Sequence, residues 1–191
     1  MKTLWRLLAA IFVAVATDAT APATAAETVI PLPAASTRLA IRAARMIDGR
    51  SERLHGDAVV IVEGERIVAV GGNELLTPGL ETLDLGDATL MPGLIDAHSH
   101  PLITVDDYQT DHLKHSSAYK ALRGLKAVQD NLRAGWTTLR IAGDADVAYA
   151  VTDLRKAIDG GLFLGPRLSG AAHYLSTTGG GGDINFLAPE V

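Results

Sequence analysis

Residues 91–101 read MPGLIDAHSHP, an apolar segment that follows a Pro-Gly turn and ends in His-x-His. The pattern predicts a strand, and side chains in a strand alternate between its two faces. Asp96, His98 and His100 are therefore expected to point the same way. Imidazoles are common ligands of divalent metals, so His98 and His100 at the end of a buried strand predict a metal site. The alternative is two polar residues that mark the end of the strand.

Asp96 precedes the histidine pair by two residues and leaves two interpretations open. Its carboxylate either orients one imidazole from behind or is a buried polar group that the backbone satisfies.

Strand and helix patterns alternate after this motif. Ser116 and Ser117 are candidate N-caps of a helix that Gly135 is expected to end. The apolar stripe of that helix is predicted to consist of Ala118, Ala121, Leu122, Leu125, Val128 and Leu132. Residues 136–141 are typical of a strand, 147–159 of a second helix and 167–172 of a third strand. This alternation with short turns predicts βαβ units and a parallel sheet.

The segment before the motif has a different pattern. Residues 38–90 predict only strands, with a hairpin at residues 58–70, and residues 27–37 predict a linker with two prolines. Residues 91–191 are far fewer than the about 250 that a complete (β/α)8 barrel needs. They therefore form either a small open α/β sheet or about three of eight barrel units.

The N-terminus resembles a secretory signal. Lys2 and Arg6 precede an apolar run at residues 7–16, and Ala23-Thr24-Ala25 matches an Ala-x-Ala cleavage site. Residues 1–26 are predicted to be a signal peptide cut after Ala25 or Ala26. The mature protein is then secreted or periplasmic and keeps no stable membrane anchor. The alternative is a retained anchor helix.

Composition excludes several classes of protein. A net charge of -5 and the lack of a basic cluster argue against nucleic acid or an anionic membrane as the main partner. The chain has no cysteine, which excludes disulfides and thiolate zinc sites. A hydrophobic fraction of 48% predicts a packed core.

Other polar residues are weaker candidates. His112 and His115 are expected in a solvated loop, and His173 in a loop or a pocket wall. The glycine run at residues 179–182 predicts a loop without the features of a phosphate site. Asp183 after it either caps a turn or faces a pocket.

Several segments resemble the metal-dependent amidohydrolase superfamily. Residues 90–101 resemble its first-strand signature and residues 134–140 its second. Residues 165–170 and 178–180 are similar to the third-strand region of its imidazolonepropionase-like and Xaa-Pro dipeptidase-like branch. The resemblance covers residues 38–186 and implies that the chain corresponds to the N-terminal part of such a protein.

The resemblance implies an α/β fold with part of an N-terminal β-sandwich at 38–90, then the first three βα units of a TIM-like (β/α)8 barrel at 91–191. It implies one or two divalent metals, usually zinc, with His98 and His100 as the first two ligands. A lysine, two further histidines and an aspartate would come from later strands. The implied reaction is hydrolysis of a carbon–nitrogen bond in a small amide, cyclic amide or dipeptide by metal-activated water. The chain alone is expected to lack the full active site.

Substrate-pocket candidates under this resemblance are Arg140, His173 and Asp183. The chain departs from the branch at two positions near the expected pocket. Ile141 stands where the branch has an aspartate, and Gly181 where it has a histidine.

Two other functions compete with the enzyme. One is a truncated, non-catalytic remnant or binding module. The other is an exported metal-binding module that uses His98, His100 and a loop carboxylate such as Asp106 or Asp107. A partial barrel leaves an open sheet edge, so oligomers are possible in each case.

Overall fold

The structure is a computed structural model that describes residues 11–14 and 38–183. The chain divides into two compact units, one up to Gly93 and one from Leu94 onward. The predicted linker lies outside the described residues. So does the predicted signal peptide, apart from strand β1 (Ile11–Ala14).

The first unit is built around one mixed sheet. Its other strands are β2 (Arg38–Ile47), β3 (Leu54–Glu63), β4 (Arg66–Gly71), β5 (Glu81–Asp84) and β6 (Thr89–Pro92). The sheet order is β1-β6-β2-β3-β4, and β5 pairs with the first half of β2. The predicted strands between residues 38 and 90 are present, including the β3–β4 hairpin.

Strand β3 is buried on both faces at its centre. Residues 58–62 are all apolar and all buried. Because side chains alternate along a strand, Ala58, Val60 and Val62 pack with residues of β2 and β6 on one face. Val59 and Ile61 pack on the other face. A continuous apolar run is therefore what this central strand requires.

The second unit is a three-stranded parallel sheet with helices. Its elements are β7 (Leu94–Ser99), α1 (Tyr108–Lys114), α2 (Ser117–Arg133), β8 (Trp136–Ala142), α3 (Ala150–Asp159) and β9 (Arg167–Ala171). The strand order is β7-β8-β9, and both pairings are parallel. The predicted βαβ alternation is confirmed.

One face of this sheet is covered by helices. Leu139 and Ile141 of β8 lie in an apolar cluster with Val128 of α2 and Leu154 of α3. The residue between them, Arg140, points to the opposite face and is exposed. Of the helices in the described ranges, none is long and apolar enough to span a membrane.

Helix α2 begins and ends as predicted. The Ser116 hydroxyl accepts a hydrogen bond from the Tyr119 amide at 3.3 Å. Gly135 takes a positive φ of 95° directly after the C-cap, a conformation that glycine adopts easily. The predicted apolar stripe is wrong at Ala118 and Leu122, which are exposed, because the inward face of α2 carries Lys120, Gly124 and Val128 instead.

Two further expectations are wrong. His112 lies in helix α1 rather than in a loop, and the Asp107 side chain caps that helix by accepting from the Thr110 amide. The second predicted helix begins at Ala150, not at Val147. The Asp146 carboxylate accepts a hydrogen bond from the Ala150 amide at 3.1 Å, which fixes the start of the helix there.

Truncation of two leucines tests the position of this core. We expect Leu139→Ala to lower the free energy of unfolding by about 2–5 kcal/mol, because the side chain is completely buried. The same change at the exposed Leu122 should cost less than about 0.5 kcal/mol. Urea unfolding followed by circular dichroism measures both variants. Equal losses would contradict the assigned core.

Candidate metal centre

Two imidazoles meet at the carboxyl end of strand β7. His98 lies within the strand and His100 directly follows it. Their Nε2 atoms are 3.0 Å apart, and the rings stand edge to face with centroids 4.9 Å apart. The two nitrogens therefore lie within hydrogen-bonding distance of each other.

Strand β7 does not alternate regularly before this point. Asp96 pairs with Leu139 and Ser99 with Ile141, so two residues of β7 stand opposite Arg140 alone. Such a bulge changes where the following side chains point. The orientation of His98 and His100 therefore does not follow from the simple alternation with Asp96 that the sequence suggested.

The Asp96 carboxylate bonds the backbone. It accepts a hydrogen bond from the His98 amide at 2.9 Å. Among the described residues, the His98 amide is the hydrogen-bond partner of this carboxylate, and neither imidazole bonds to it. The backbone bond agrees with the second interpretation of Asp96, although its side chain is half-buried rather than buried. A role in orienting an imidazole stays a prediction.

His100 is held from behind by two groups. Its Nδ1 lies 2.7 Å from the Gly143 carbonyl oxygen and 3.1 Å from the Tyr174 hydroxyl. A carbonyl oxygen only accepts hydrogen bonds, so Nδ1 carries the proton. In the neutral ring this leaves Nε2 of His100 without a proton, so it accepts the hydrogen bond from His98 Nε2 in the metal-free chain.

The histidine pair fits a divalent metal. Two nitrogens bound to one tetrahedral zinc at about 2.0–2.1 Å lie roughly 3.3 Å apart, close to the 3.0 Å observed. Neutral imidazole nitrogen is also a preferred donor for zinc. Within the described residues, no group of three or more His, Cys, Asp or Glu side chains is arranged to hold a metal ion. The described chain thus brings together two imidazoles with a separation that suits one ion.

A cavity of about 270 Å³ opens in the same unit. Tyr174, which contacts His100, lines it. The remaining lining residues are Tyr108, Gln109, His112, Asp144, Ala145, Asp146, Val147, His173, Gly181, Gly182 and Asp183.

Two of the three predicted pocket residues line this cavity. The His173 ring packs edge to face against Tyr149, with centroids 4.9 Å apart. The Asp183 carboxylate accepts from the Gly179 amide at 2.7 Å, so it closes a turn as well as facing the cavity. Arg140 is not among the described residues that line it.

The two positions at which the chain departs from the family branch, Ile141 and Gly181, lie in different surroundings. Gly181 lines the cavity, so the absence of a histidine there changes the wall. Ile141 is 3% exposed and lies in the apolar cluster beneath the helices. The expectation that Ile141 adjoins the pocket is therefore wrong, because its side chain points to the helix-covered face of β8.

Asp144 is a buried carboxylate that the sequence reasoning missed. Both of its oxygens accept from the Leu102 amide, at 3.1 and 3.0 Å, and one accepts from the Ala145 amide at 2.9 Å. Burial raises the pKa of Asp144 to about 6, although these hydrogen bonds act to lower it.

Asp146 is the second missed carboxylate, and it is paired. Lys120 Nζ lies 2.7 Å from its Oδ1, and the Ser117 hydroxyl donates to the same oxygen. Burial alone would raise the pKa of Asp146, but the bonds from Lys120, Ser117 and the Ala150 amide hold it below its ordinary value. Lys120 Nζ also donates to the Ala145 carbonyl and lies 3.3 Å from His112 Nδ1.

Position in the chain was the signal for both carboxylates. Asp144 and Asp146 come directly after the predicted strand 136–141. Ligand sites in parallel sheets gather beyond the carboxyl ends of the strands. Asp144 and Asp146 follow the carboxyl end of β8 as the histidine pair marks the end of β7, so the same rule predicts them as site residues.

Comparison with known proteins identifies relatives. A model of the amidohydrolase family matches residues 89–188. Ochratoxinase from Aspergillus niger is 33% identical over 169 residues, which cover 82% of this chain and 33% of that protein. Its crystal structure has a TM-score of 0.66 and 27% identity, covering 80% of this chain and 35% of that one.

A second solved structure supports the fold alone. A Xaa-Pro dipeptidase with methionine bound in its active site has a TM-score of 0.68 at 24% identity. The match covers 81% of this chain and 38% of that chain. The chain spans about a third of the length of the curated relatives it matches.

The raised pKa of Asp144 predicts a pH dependence of stability. Between about pH 4 and pH 6 the folded, metal-free chain binds more protons than the unfolded chain. The contribution of Asp144 to the free energy of unfolding is therefore fully present below about pH 4 and falls as the pH rises to about 6. Asp144→Asn removes this titration, so the variant should gain stability relative to the wild type across that window.

Urea unfolding at four pH values measures the difference. Asp153→Asn, on the exposed side of α3, serves as the control and should follow the wild type. A difference between Asp144→Asn and the wild type that stays constant from pH 4 to pH 7 would contradict the assignment.

Proposed function

We propose that this chain, which belongs to the amidohydrolase family, is part of a metal-dependent hydrolase that cleaves carbon–nitrogen bonds. The observation that carries the proposal is the 3.0 Å separation of the Nε2 atoms of His98 and His100 at the end of β7. The proton on Nδ1 of His100 supports it, because an imidazole binds a metal through the ring nitrogen that carries no proton, here Nε2.

His98 and His100 are the proposed metal ligands, with Zn²⁺ as the first candidate. A divalent ion bound there supplies the acidity that makes water a nucleophile near neutral pH and polarises a carbonyl. Gly143 holds the second ligand through its carbonyl oxygen. Asp96 remains a candidate for support from behind the pair.

Two histidines are fewer than the three protein ligands typical of a catalytic zinc. The chain also spans only about a third of the length of ochratoxinase. We therefore assign the remaining ligands and the group that carries a proton to the leaving nitrogen to parts of such a protein outside the described residues. On this proposal the described chain does not catalyse the reaction alone.

The proposed substrate is a small amide, cyclic amide or dipeptide. A cavity of about 270 Å³ suits a molecule of this size, and Tyr174, which lines it, contacts His100. His173 and Asp183 on its wall offer one imidazole and one carboxylate for polar contacts. Arg140 lies on the exposed face of β8, so contact with substrate would require a pocket that extends over that face.

The finer architecture is also a proposal. We assign the first unit to part of a β-sandwich and β7, β8 and β9 with their helices to the first three units of a TIM-like (β/α)8 barrel. The exposed face of the three-stranded sheet supports this, since Ile95 is 68% exposed there. A closed barrel would bury such a residue.

Export is proposed from the sequence alone. The charged residues, apolar run and Ala-x-Ala site near the N-terminus support cleavage after Ala25 or Ala26. Mass spectrometry of the protein isolated from its source should then give a mature N-terminus at Ala26 or Glu27. An N-terminus at Met1 would contradict it.

Metal titration tests the proposed ligands. Co²⁺ binding to the purified chain, followed by its visible absorption, should weaken at least about tenfold in His98→Ala and in His100→Ala, because each variant removes one of two ligands. His55→Ala is the control, since His55 lies in the first unit beside Asp48.

The outcomes separate the alternatives. Binding that neither variant weakens would overturn the metal site. Tight one-to-one binding by this chain, lost in both variants, would favour the metal-binding module, whereas weak binding lost in both variants is what an incomplete hydrolase site predicts.

A further inference from the structure

We infer that Gly143 is a positioning residue for the metal pair, because its carbonyl oxygen and side-chain-free backbone fix His100 with Nε2 bare and facing His98. The inference rests on the proposed function and assigns a role to a residue outside the predicted ligand set. His100 Nδ1 lies 2.7 Å from the Gly143 oxygen, the shorter of its two contacts.

The direction of this carbonyl is set by strand β9. The Gly143 amide donates to the Ala171 carbonyl at 3.2 Å, and the Asp144 amide donates to the Ala172 carbonyl at 3.0 Å. The Asp144 N–H and the Gly143 C=O belong to the same planar peptide and point in opposite directions. With the N–H turned toward β9, the C=O must turn toward β7 and His100.

The position also requires glycine. Gly143 has a φ of 97°, which side-chain-bearing residues rarely adopt. A Cβ atom there would lie 2.6 Å from Cε1 of Tyr174 and closer still to Cδ1 of the same ring. Any side chain at this position would therefore have to move either the Tyr174 ring or the carbonyl.

Tyr174 completes the arrangement. Its ring lies over Gly143, and its hydroxyl reaches His100 Nδ1 at 3.1 Å. A hydroxyl oxygen can donate as well as accept, so this contact alone does not fix the tautomer. The carbonyl does, since it has no proton to give.

The test compares two glycine substitutions at similar positive φ angles. Gly143→Ala is set against Gly79→Ala, where φ is 83° and nothing lies within 4 Å of the added Cβ. In the metal-free chain, long-range ¹H–¹⁵N spectra of the histidine rings report which nitrogen of His100 carries the proton. Co²⁺ titration then gives the metal affinity.

We expect the wild type and Gly79→Ala to carry the proton on Nδ1 of His100. Gly143→Ala should lose this single tautomer and bind Co²⁺ about 10–100-fold more weakly, the usual effect of losing a partner behind a ligand. An unchanged tautomer together with a Co²⁺ affinity within about twofold of Gly79→Ala would overturn the inference.

Tyr174→Phe keeps the test decisive if Gly143→Ala does not fold. It removes the hydroxyl and keeps the ring over Gly143. The proton should stay on Nδ1, because the carbonyl still holds it, and its loss would overturn the assignment to Gly143. A wild type that fails to bind Co²⁺ but shows the single tautomer would count against the proposed function while leaving the role of Gly143 in place.

Discussion

Parallel pairing of β8 with β7 on one side and β9 on the other is the constraint on which the site depends. Because the strands run the same way, their carboxyl ends reach one edge together. There the amides of Gly143 and Asp144 donate to carbonyls at the end of β9 and directly after it. The Gly143 carbonyl is then left to accept from His100. A change of register between β8 and β9 would turn that carbonyl away, and the imidazole would lose its fixed tautomer.

Two kinds of interaction hold the edge of the sheet at the carboxyl ends of β7, β8 and β9 in place. Leu139 and Leu154 belong to an apolar cluster that holds the helices to the sheet. Beside it, the ion pair between Lys120 and Asp146 joins α2 to the loop after β8, with both side chains about 2% exposed. Removal of one partner from such a pair typically costs about 3–5 kcal/mol, because the other charge stays buried. The pair therefore fixes the loop that also carries Asp144.

The sequence predicted elements better than contacts. The His-x-His motif, the alternation of strands and helices after it and the capping by Ser116 followed from local patterns in the sequence. The bulge before Ser99 did not, because it depends on how β7 pairs with β8. Burial of Lys120 was missed for the same reason: a lysine reads as exposed until its partner, Asp146, is known from the fold. The proposed role of Gly143 could not be predicted from the sequence, because the backbone carbonyl performs it and every residue has such a carbonyl.

The central claim is that His98 and His100 bind one ion together. Anomalous diffraction at the zinc edge from crystals grown with Zn²⁺ tests it most directly. We predict a single peak within about 2.0–2.1 Å of both Nε2 atoms, with Nδ1 of His100 still hydrogen-bonded to the Gly143 carbonyl. A peak bound to only one of these imidazoles, or zinc held elsewhere on the chain, would contradict it.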